Sequence, residues 1–213
     1  MANALSVLFV VSLLGLGIIL LSDNLQTLAK YRGAIKQRVA GGYNLAMKVM
    51  VLNRIGAVIF FLSIALNIDH GISSDSMIDG FAIAFVISCL PAGFLIYRIS
   101  LDKIGAISVS DVLEIKKWPI TIAVATFGAT LFNLMGITLP LIAGATFPDY
   151  RLTLANTSFV FNTVYTVINV FYIEDKFAKL VDSGTGNMRA VVACMIFSRM
   201  VAFFVSGVVF LLL

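Results

Sequence analysis

Two arginines, Arg54 and Arg199, lie inside long apolar stretches of the sequence. Each comes about ten residues into its stretch, which at about 1.5 Å per residue is roughly 14 Å into a hydrocarbon core about 30 Å thick. An ionised side chain at that depth is stable only if it faces protein, water or a ligand. Because a planar guanidinium holds a phosphate through two parallel hydrogen bonds, the pair indicates a phosphate-binding site. The alternative is structural: each arginine joins helices through neutral partners or extends to the cytoplasmic interface.

The acidic residues offer these arginines no evident partner. All 11 Asp and Glu residues fall in predicted loops or at the ends of apolar stretches, and the deepest are Asp23 and Asp79. We therefore expect Arg54 and Arg199 to meet carbonyls, amides, water or a visiting anion rather than a buried carboxylate.

A stripe of neutral polar residues follows the fifth apolar stretch. Its members recur at steps of three and four residues, so they share one face of a helix. They are Ser158, Asn162, Tyr165, Thr166, Asn169 and Tyr172. Such a stripe suits hydrogen bonding between helices, and it equally suits the lining of a hydrophilic groove for a sugar-bearing head group. The sequence favours neither interpretation.

The composition is that of an integral membrane protein with a single domain, residues 1–213. Of the 213 residues, 60% are hydrophobic and 12% are charged, and the mean hydropathy is +1.02. This leaves too little polar surface for a soluble globule. The net charge of +4 is a topology signal in such a chain and does not indicate nucleic-acid binding.

The motifs of common catalytic and cofactor sites are missing from the sequence. It has no phosphate-binding loop, no nucleophile elbow and no histidine–carboxylate pair within an apolar stretch. We therefore predict no enzymatic activity, no metal and no cofactor. Cys89 and Cys194 fall inside apolar stretches and are expected to be small buried side chains. His70 is expected to be a solvated loop residue.

The apolar stretches predict an all-α protein with six transmembrane helices. The predicted spans are residues 4–22, 45–66, 80–100, 119–146, 152–173 and 190–213. The first span lacks the flanking pattern of a signal peptide, so it is expected to be retained. All Lys and Arg residues except Arg54, Arg151 and Arg199 fall in the loops after spans one, three and five. By the positive-inside rule these loops are cytoplasmic, and both termini lie outside.

Two prolines inside predicted spans indicate irregular helices. Pro91 and Pro140 each remove a backbone hydrogen bond, and we expect the span that contains Pro140 to be kinked or broken. Both prolines are candidate hinges. The segment 101–117, which is mixed in charge, is expected to hold a short interfacial helix.

A weak internal symmetry relates the two ends of the chain. A shift of 145 residues superposes Met50 on Met195 and Arg54 on Arg199, among other pairs. It predicts a parallel repeat of spans one and two with spans five and six, about an axis normal to the membrane, as some transporters have.

Several short motifs near the two ends of the chain carry a resemblance to a known family. They are Leu25-Gln26-Thr27-Leu28-Ala29, Tyr31-Arg32-Gly33-Ala34, Asn53-Arg54, Val167-Ile168-Asn169, the stretch from Glu174 to Asp182, the turn with Gly184 and Gly186, and Ser198-Arg199. In these motifs the sequence resembles the Amj family of alternate lipid II flippases, which are small bacterial membrane proteins.

The resemblance implies a flippase that moves lipid II, an undecaprenyl-diphosphate-linked peptidoglycan precursor, across the bacterial cytoplasmic (inner) membrane. A groove open to the lipid would hold the head group, with Arg54 and Arg199 neutralising the diphosphate. The further residues implied in substrate binding are Arg32, Lys48, Asn53, Asn162, Thr166 and Asn169, and those implied in coupling or gating are Asp23, Gln26, Asp175, Asp182, Pro91 and Pro140. The implied partners are the polyprenyl-diphosphate glycolipid and membrane lipids.

Two other functions fit the same residues. A carrier of small anions or solutes would use the arginines without any dependence on polyprenyl lipid. A scaffold of the cell envelope that transports nothing would use them only for folding or assembly.

Overall fold

All regular secondary structure in the described residues is helical. The structure is a computed structural model that describes residues 2–36, 38–101, 118–183 and 188–212. Its helices are α1 (Ala2–Ile35), α2 (Val39–Asp69), α3 (Ser74–Leu101), α4 (Trp118–Thr146), α5 (Arg151–Ile168), α6 (Asp175–Ser183) and α7 (Met188–Leu212). A 3-10 turn, Pro148–Tyr150, precedes α5, and a π-helical segment, Asn169–Glu174, joins α5 directly to α6. The all-α prediction is confirmed.

Five helices in the described part of the chain are long and apolar enough to cross a membrane. Their candidate spans are Val7–Ile35, Val39–Asp69, Ser74–Ile99, Ile120–Thr146 and Met188–Leu212. These helices fit a multi-pass membrane protein. The predicted span 152–173 corresponds to α5 and the π segment; α5 has only 18 residues and a polar face, and it is not one of the five.

The first helix is much longer than the predicted span. The apolar run ends near Ser22, but α1 continues to Ile35, and α2 begins at Val39. The extension is held by a close backbone contact, because a Cβ on Gly42 would lie 2.7 Å from the Cα of Gly33. Most of the basic segment 30–48 is therefore helix rather than loop. Asp23, predicted at the end of a span, lies well inside α1.

The predicted helix irregularities at Pro91 and Pro140 also differ from the structure. Both α3 and α4 continue as helices through their internal prolines, Pro91 and Pro140. The break expected in α4 does not occur between Trp118 and Thr146, and the departure from α-helical geometry comes instead at Asn169–Glu174. Short π segments are frequent at functional sites. The expected interfacial helix lies outside the described residues, apart from Leu101 at the end of α3.

The helices pack in an arc. α2 packs on α1, α1 on α3, α3 on α7, α7 on α4, and α4 on α5. The centre of the arc is held by two apolar clusters, one around Phe60, Phe81 and Phe85 and the other around Tyr31 and Ile196. The helices α2 and α5 therefore form its two ends and face each other across a cleft.

This arrangement does not follow the pairing that the predicted repeat requires. α1 packs along α2, whereas in the corresponding second pair α5 packs on α4, and α7 packs on α3 and α4. The thiols of Cys89 and Cys194 are half-buried and free, and the Cys89 thiol donates to the Met200 carbonyl of α7 at 3.4 Å. His70 is exposed at the end of α2, as predicted.

Candidate functional site

A polar cavity of about 370 Å³ lies in the cleft, with α2 and α5 as its walls and α1 and α4 as its floor. The lining residues are Ile19, Asp23 and Gln26 of α1, Met50, Asn53, Arg54, Ala57 and Phe61 of α2, Asn133 and Ile137 of α4, and Asn162, Tyr165, Thr166, Asn169 and Val170 of α5 and the π segment. On each helix they recur at three- and four-residue steps, so each helix contributes one face. The cavity brings together predicted substrate-binding residues from α2 and α5 and predicted coupling residues from α1.

The second helix has three different faces, and these decide where its arginine points. Gly56, Phe60 and Ile64 are buried against the rest of the bundle. The adjacent face, which contains Asn53 and Arg54, lines the cavity. The third face carries exposed apolar side chains and suits contact with lipid.

Arg54 is exposed within the cleft and has no fixed partner among the described residues. Its guanidinium forms no hydrogen bond or ion pair with any other described residue. The side-chain amides of Gln26, Asn133, Asn162 and Asn169 likewise form no hydrogen bond within the described part of the chain. Polar groups between apolar helices require water or a ligand, because leaving them unsatisfied costs several kcal/mol. In the part of the chain that the structure describes, the cavity therefore presents one free guanidinium and four free side-chain amides to a ligand.

Asp23 lies in the same cavity and is held by two neighbouring side chains. Its Oδ1 accepts a hydrogen bond from Asn53 Nδ2 at 3.1 Å, and its Oδ2 accepts one from the Tyr165 hydroxyl at 3.5 Å. Asn53 Nδ2 also contacts the Ile19 carbonyl at 3.3 Å. These bonds join α1, α2 and α5 at one level of the bundle.

Arg199 lies behind Asp23 and does not line the cavity. It is buried, with 7% of its surface exposed, and its Nη1 donates to the Asp23 carbonyl at 2.9 Å and to Thr27 Oγ1 at 2.7 Å. Thr27 in turn donates to the Asp23 carbonyl at 3.2 Å. The expectation that the arginines meet neutral groups rather than a buried carboxylate is confirmed for Arg199, whose bonds go to a carbonyl and a hydroxyl. The Asp23 carboxylate nevertheless lies in the adjoining cavity, because α1 continues past the apolar run and Asp23 lies inside the helix. Arg199 joins α7 to α1, while Arg54 faces the cavity.

Ion pairs join α5 and the π segment to the α1–α2 hairpin at both ends of the cleft. At one end Arg151 Nη1 lies 2.8 Å from Asp69 Oδ1. At the other end Lys30 Nζ lies 2.5 Å from Glu174 Oε1 of the π segment, and it also lies over the Tyr43 ring. The continuous helical run that starts with α5 therefore extends along the length of the bundle.

A second cavity of about 220 Å³ continues the cleft towards the Asp69 end. Its lining residues are Phe61, Ile68, Pro140, Leu141, Gly144, Arg151 and Ser158. Phe61 lines both cavities. The two spaces therefore follow one another along the cleft, with an aromatic ring between them.

The structure places the other predicted residues away from the cavity. Arg32, Lys48 and Asp182 are exposed on their helices, and the Asp175 carboxylate pairs with Lys179 at 2.8 Å. Pro91 is half-buried in α3, Pro140 and Ser158 belong to the second cavity, and Tyr172 is exposed beside Lys176.

Sequence reasoning did not select Asn133, Phe61, Thr27 or the Lys30–Glu174 pair. The only signal for Asn133 was an isolated amide in an apolar helix. The other contacts depend on which helices are neighbours.

Comparison of the chain with protein-family models, with curated proteins and with solved structures found no significant match.

Proposed function

We propose that the protein is a flippase that carries a lipid-linked diphosphate head group, of the undecaprenyl-diphosphate peptidoglycan-precursor class, across the bacterial cytoplasmic membrane. The observation that carries the proposal is the Arg54 guanidinium, which lies with side-chain amides in a cavity between apolar helices and pairs with no described residue. The resemblance of the terminal motifs to the Amj family supports the choice of substrate.

The polar groups of the cavity suit the diphosphate and sugars of such a lipid, which are its most difficult parts to move through hydrocarbon. A guanidinium offers two parallel hydrogen bonds to a phosphate, and the amides of Asn133, Asn162 and Asn169 can replace water around sugar hydroxyls. A volume of about 370 Å³, within the range typical of small-ligand pockets, suits a diphosphate with part of its first sugar. The rest of the head group would extend along the cleft, and the polyprenyl chain would stay in the bilayer.

The proposal includes six membrane crossings with both termini outside. The crossing beyond the five long apolar helices is the fifth in chain order, residues 152–173, which α5 and most of the π segment form. Its support is the pair of ion contacts, Arg151 with Asp69 and Lys30 with Glu174, which join α5 and the π segment to both ends of the α1–α2 hairpin. The concentration of Lys and Arg in the segments that follow predicted spans one, three and five supports this orientation.

A test in cells measures outer-leaflet lipid II in bacteria whose resident flippase is switched off. The wild-type chain, Arg54→Ala and a matched control, Arg98→Ala, are supplied in turn, with their membrane amounts measured in parallel. Arg98 is exposed near the end of α3 and lies outside the cavity. We expect the wild-type and Arg98→Ala chains to restore lipid II, and Arg54→Ala to restore little.

Two results would count against the proposal. If the correctly inserted wild-type chain restores no lipid II, the substrate class is wrong, and a carrier of small anions becomes the better interpretation of the cavity. If Arg54→Ala restores lipid II as well as Arg98→Ala does, the free guanidinium is not the diphosphate site.

A further inference from the structure

An acid lines the cavity that is proposed to receive an anion. Asp23 and Arg54 are both lining residues of the same space. An ionised carboxylate there repels a diphosphate, and at short range in a poorly solvated site this repulsion is strong. Because the repulsion disappears when the carboxyl group gains a proton, the geometry links ligand binding to the protonation of Asp23.

We propose that Asp23 is a proton-binding site that takes up one proton when the diphosphate head group binds beside Arg54. The inference rests on the proposed function, since the ligand is the same diphosphate. It goes beyond that function by assigning a coupling ion and the residue that carries it.

The contacts of Asp23 suit a group that changes its charge. In the empty cavity its two carboxylate oxygens accept hydrogen bonds from Asn53 and from the Tyr165 hydroxyl. Both partners have freedom to adjust, because a side-chain amide offers donors and an acceptor and a phenol both donates and accepts. A protonated Asp23 therefore keeps a hydrogen-bonding partner in the same position, for example by donating to the Tyr165 oxygen.

Every helix around Asp23 contributes to its electrostatic environment. Arg199 of α7 is bonded to its backbone carbonyl, Arg54 of α2 and Tyr165 of α5 line the cavity with it, and Glu174 of the π segment is paired with Lys30 of α1. α4 contributes the neutral Asn133, and no residue of α3 appears among the described lining residues.

The balance of formal charge favours one proton. Arg54 and Arg199 with an ionised Asp23 carry a net charge of +1, so a doubly negative diphosphate leaves the loaded site at −1. A proton on Asp23 makes the loaded site neutral. Since an uncompensated charge between apolar helices is costly, the loaded state favours the protonated carboxyl group.

The linkage has a definite sign. If diphosphate binding takes up a proton, the affinity of the protein for the diphosphate is greatest at low pH. It falls as pH rises through the range in which Asp23 ionises in the absence of the ligand. For one proton the dissociation constant rises by roughly tenfold per pH unit above that range. By reciprocity, the ligand strengthens proton binding by the same factor.

The experiment uses the full chain in lipid nanodiscs and a short-chain polyprenyl diphosphate that carries a sugar. Each phosphate of this probe carries one ester and one anhydride bond and keeps a single negative charge from mildly acidic to mildly alkaline pH, so any pH dependence belongs to the protein. Affinity is measured across that range by calorimetry in two buffers that differ in ionisation enthalpy, which also counts the protons taken up. The variants are Asp23→Asn, Glu174→Gln and the control Asp79→Asn, an exposed acid near the start of α3.

We expect the wild-type and Asp79→Asn chains to take up about one proton per bound probe and to lose affinity by roughly tenfold per pH unit at high pH. Asp23→Asn should take up none, and its affinity should change by less than about twofold over the whole range. Two results would overturn the inference while leaving the proposed function intact: probe binding by the wild-type chain that does not depend on pH, or a pH dependence that persists in Asp23→Asn and disappears in Glu174→Gln. If the wild-type chain binds no probe at any pH, the proposed function fails and the inference fails with it.

Discussion

The same substitution should destabilise the protein much more at Arg199 than at Arg54. Arg199→Met removes two hydrogen bonds of a charged donor, those to the Asp23 carbonyl and to Thr27 Oγ1. Each such bond contributes about 1.5–3 kcal/mol, and removing one member of a buried charge cluster costs about 3–5 kcal/mol. Arg54→Met removes no hydrogen bond to a described residue, so its effect on stability should stay below about 1 kcal/mol.

Thermal unfolding of the purified protein in micelles measures the difference. For a chain of this size, 3–5 kcal/mol corresponds to a fall in Tm of roughly 6–20 °C. A second substitution identifies the cause. Because Asp23→Asn removes the negative charge left without its cation, the double variant with Arg199→Met should be more stable than the sum of the two single effects by at least about 1 kcal/mol.

The reasoning would be refuted by either of two outcomes. If Arg199→Met and Arg54→Met lower Tm equally, the distinction between a structural and a cavity-facing arginine is wrong. If Arg199→Met and Asp23→Asn are additive, Arg199 does not compensate the Asp23 charge.

Three further predictions concern the packing and the ends of the cleft. Gly42→Leu should lower stability by about 1–3 kcal/mol or more, since a Cβ there would lie 2.7 Å from the backbone of α1. Gly17→Ala, where the space is open, should change stability by less than about 0.5 kcal/mol. Equal Tm shifts for the two variants would contradict this prediction. A double-mutant cycle between Lys30→Met and Glu174→Gln should give a coupling energy of about 1 kcal/mol in the same unfolding assay, because the two side chains are only 15% and 30% exposed. Zero coupling would mean that this ion pair does not stabilise the contact between α1 and the π segment. Phe61 lines both cavities, so Phe61→Trp should slow lipid movement across vesicles without weakening probe binding. An unchanged rate would mean that this ring does not separate the two cavities for a moving head group.

Helical periodicity was sufficient to predict one wall of the site. Asn162, Thr166 and Asn169 recur at three- and four-residue steps, and this spacing places them on one face wherever the helix packs. The structure confirms that they share the cavity wall. The same periodicity does not show how much of the stripe lines the cavity, and its members Ser158 and Tyr172 lie beyond the cavity.

The position of Asp23 at the floor of the cavity depends on a helix contact that the apolar pattern of the sequence does not show. The hydrophobic run stops near Ser22, so Asp23 was placed at a span end. In the structure α1 continues because Gly33 and Gly42 let the two backbones meet, and Asp23 becomes an interior residue. A composition window detects the apolar run, but it does not detect a contact between two glycines on different helices.

The local sequence also does not show that the two arginines have different environments. Arg54 and Arg199 occupy similar positions in similar apolar runs, and no local pattern separates them. Their environments differ because α2 is at one end of the arc and faces the cleft, whereas α7 is at its centre. The order of helices in the arc is a tertiary property, and it also decides the long-range pairs Lys30–Glu174 and Asp69–Arg151.

The most direct test of the central claim is the movement of a labelled lipid II analogue across vesicles that contain only the purified protein. Vesicles with the wild-type chain, Arg54→Ala or Arg98→Ala are compared at equal protein content, and the fraction of label that reaches the opposite leaflet is followed with time. We expect rapid movement with the wild-type and Arg98→Ala chains and movement close to the protein-free background with Arg54→Ala. Background movement with the correctly inserted wild-type chain, or full movement with Arg54→Ala, would contradict a flippase whose diphosphate site is Arg54.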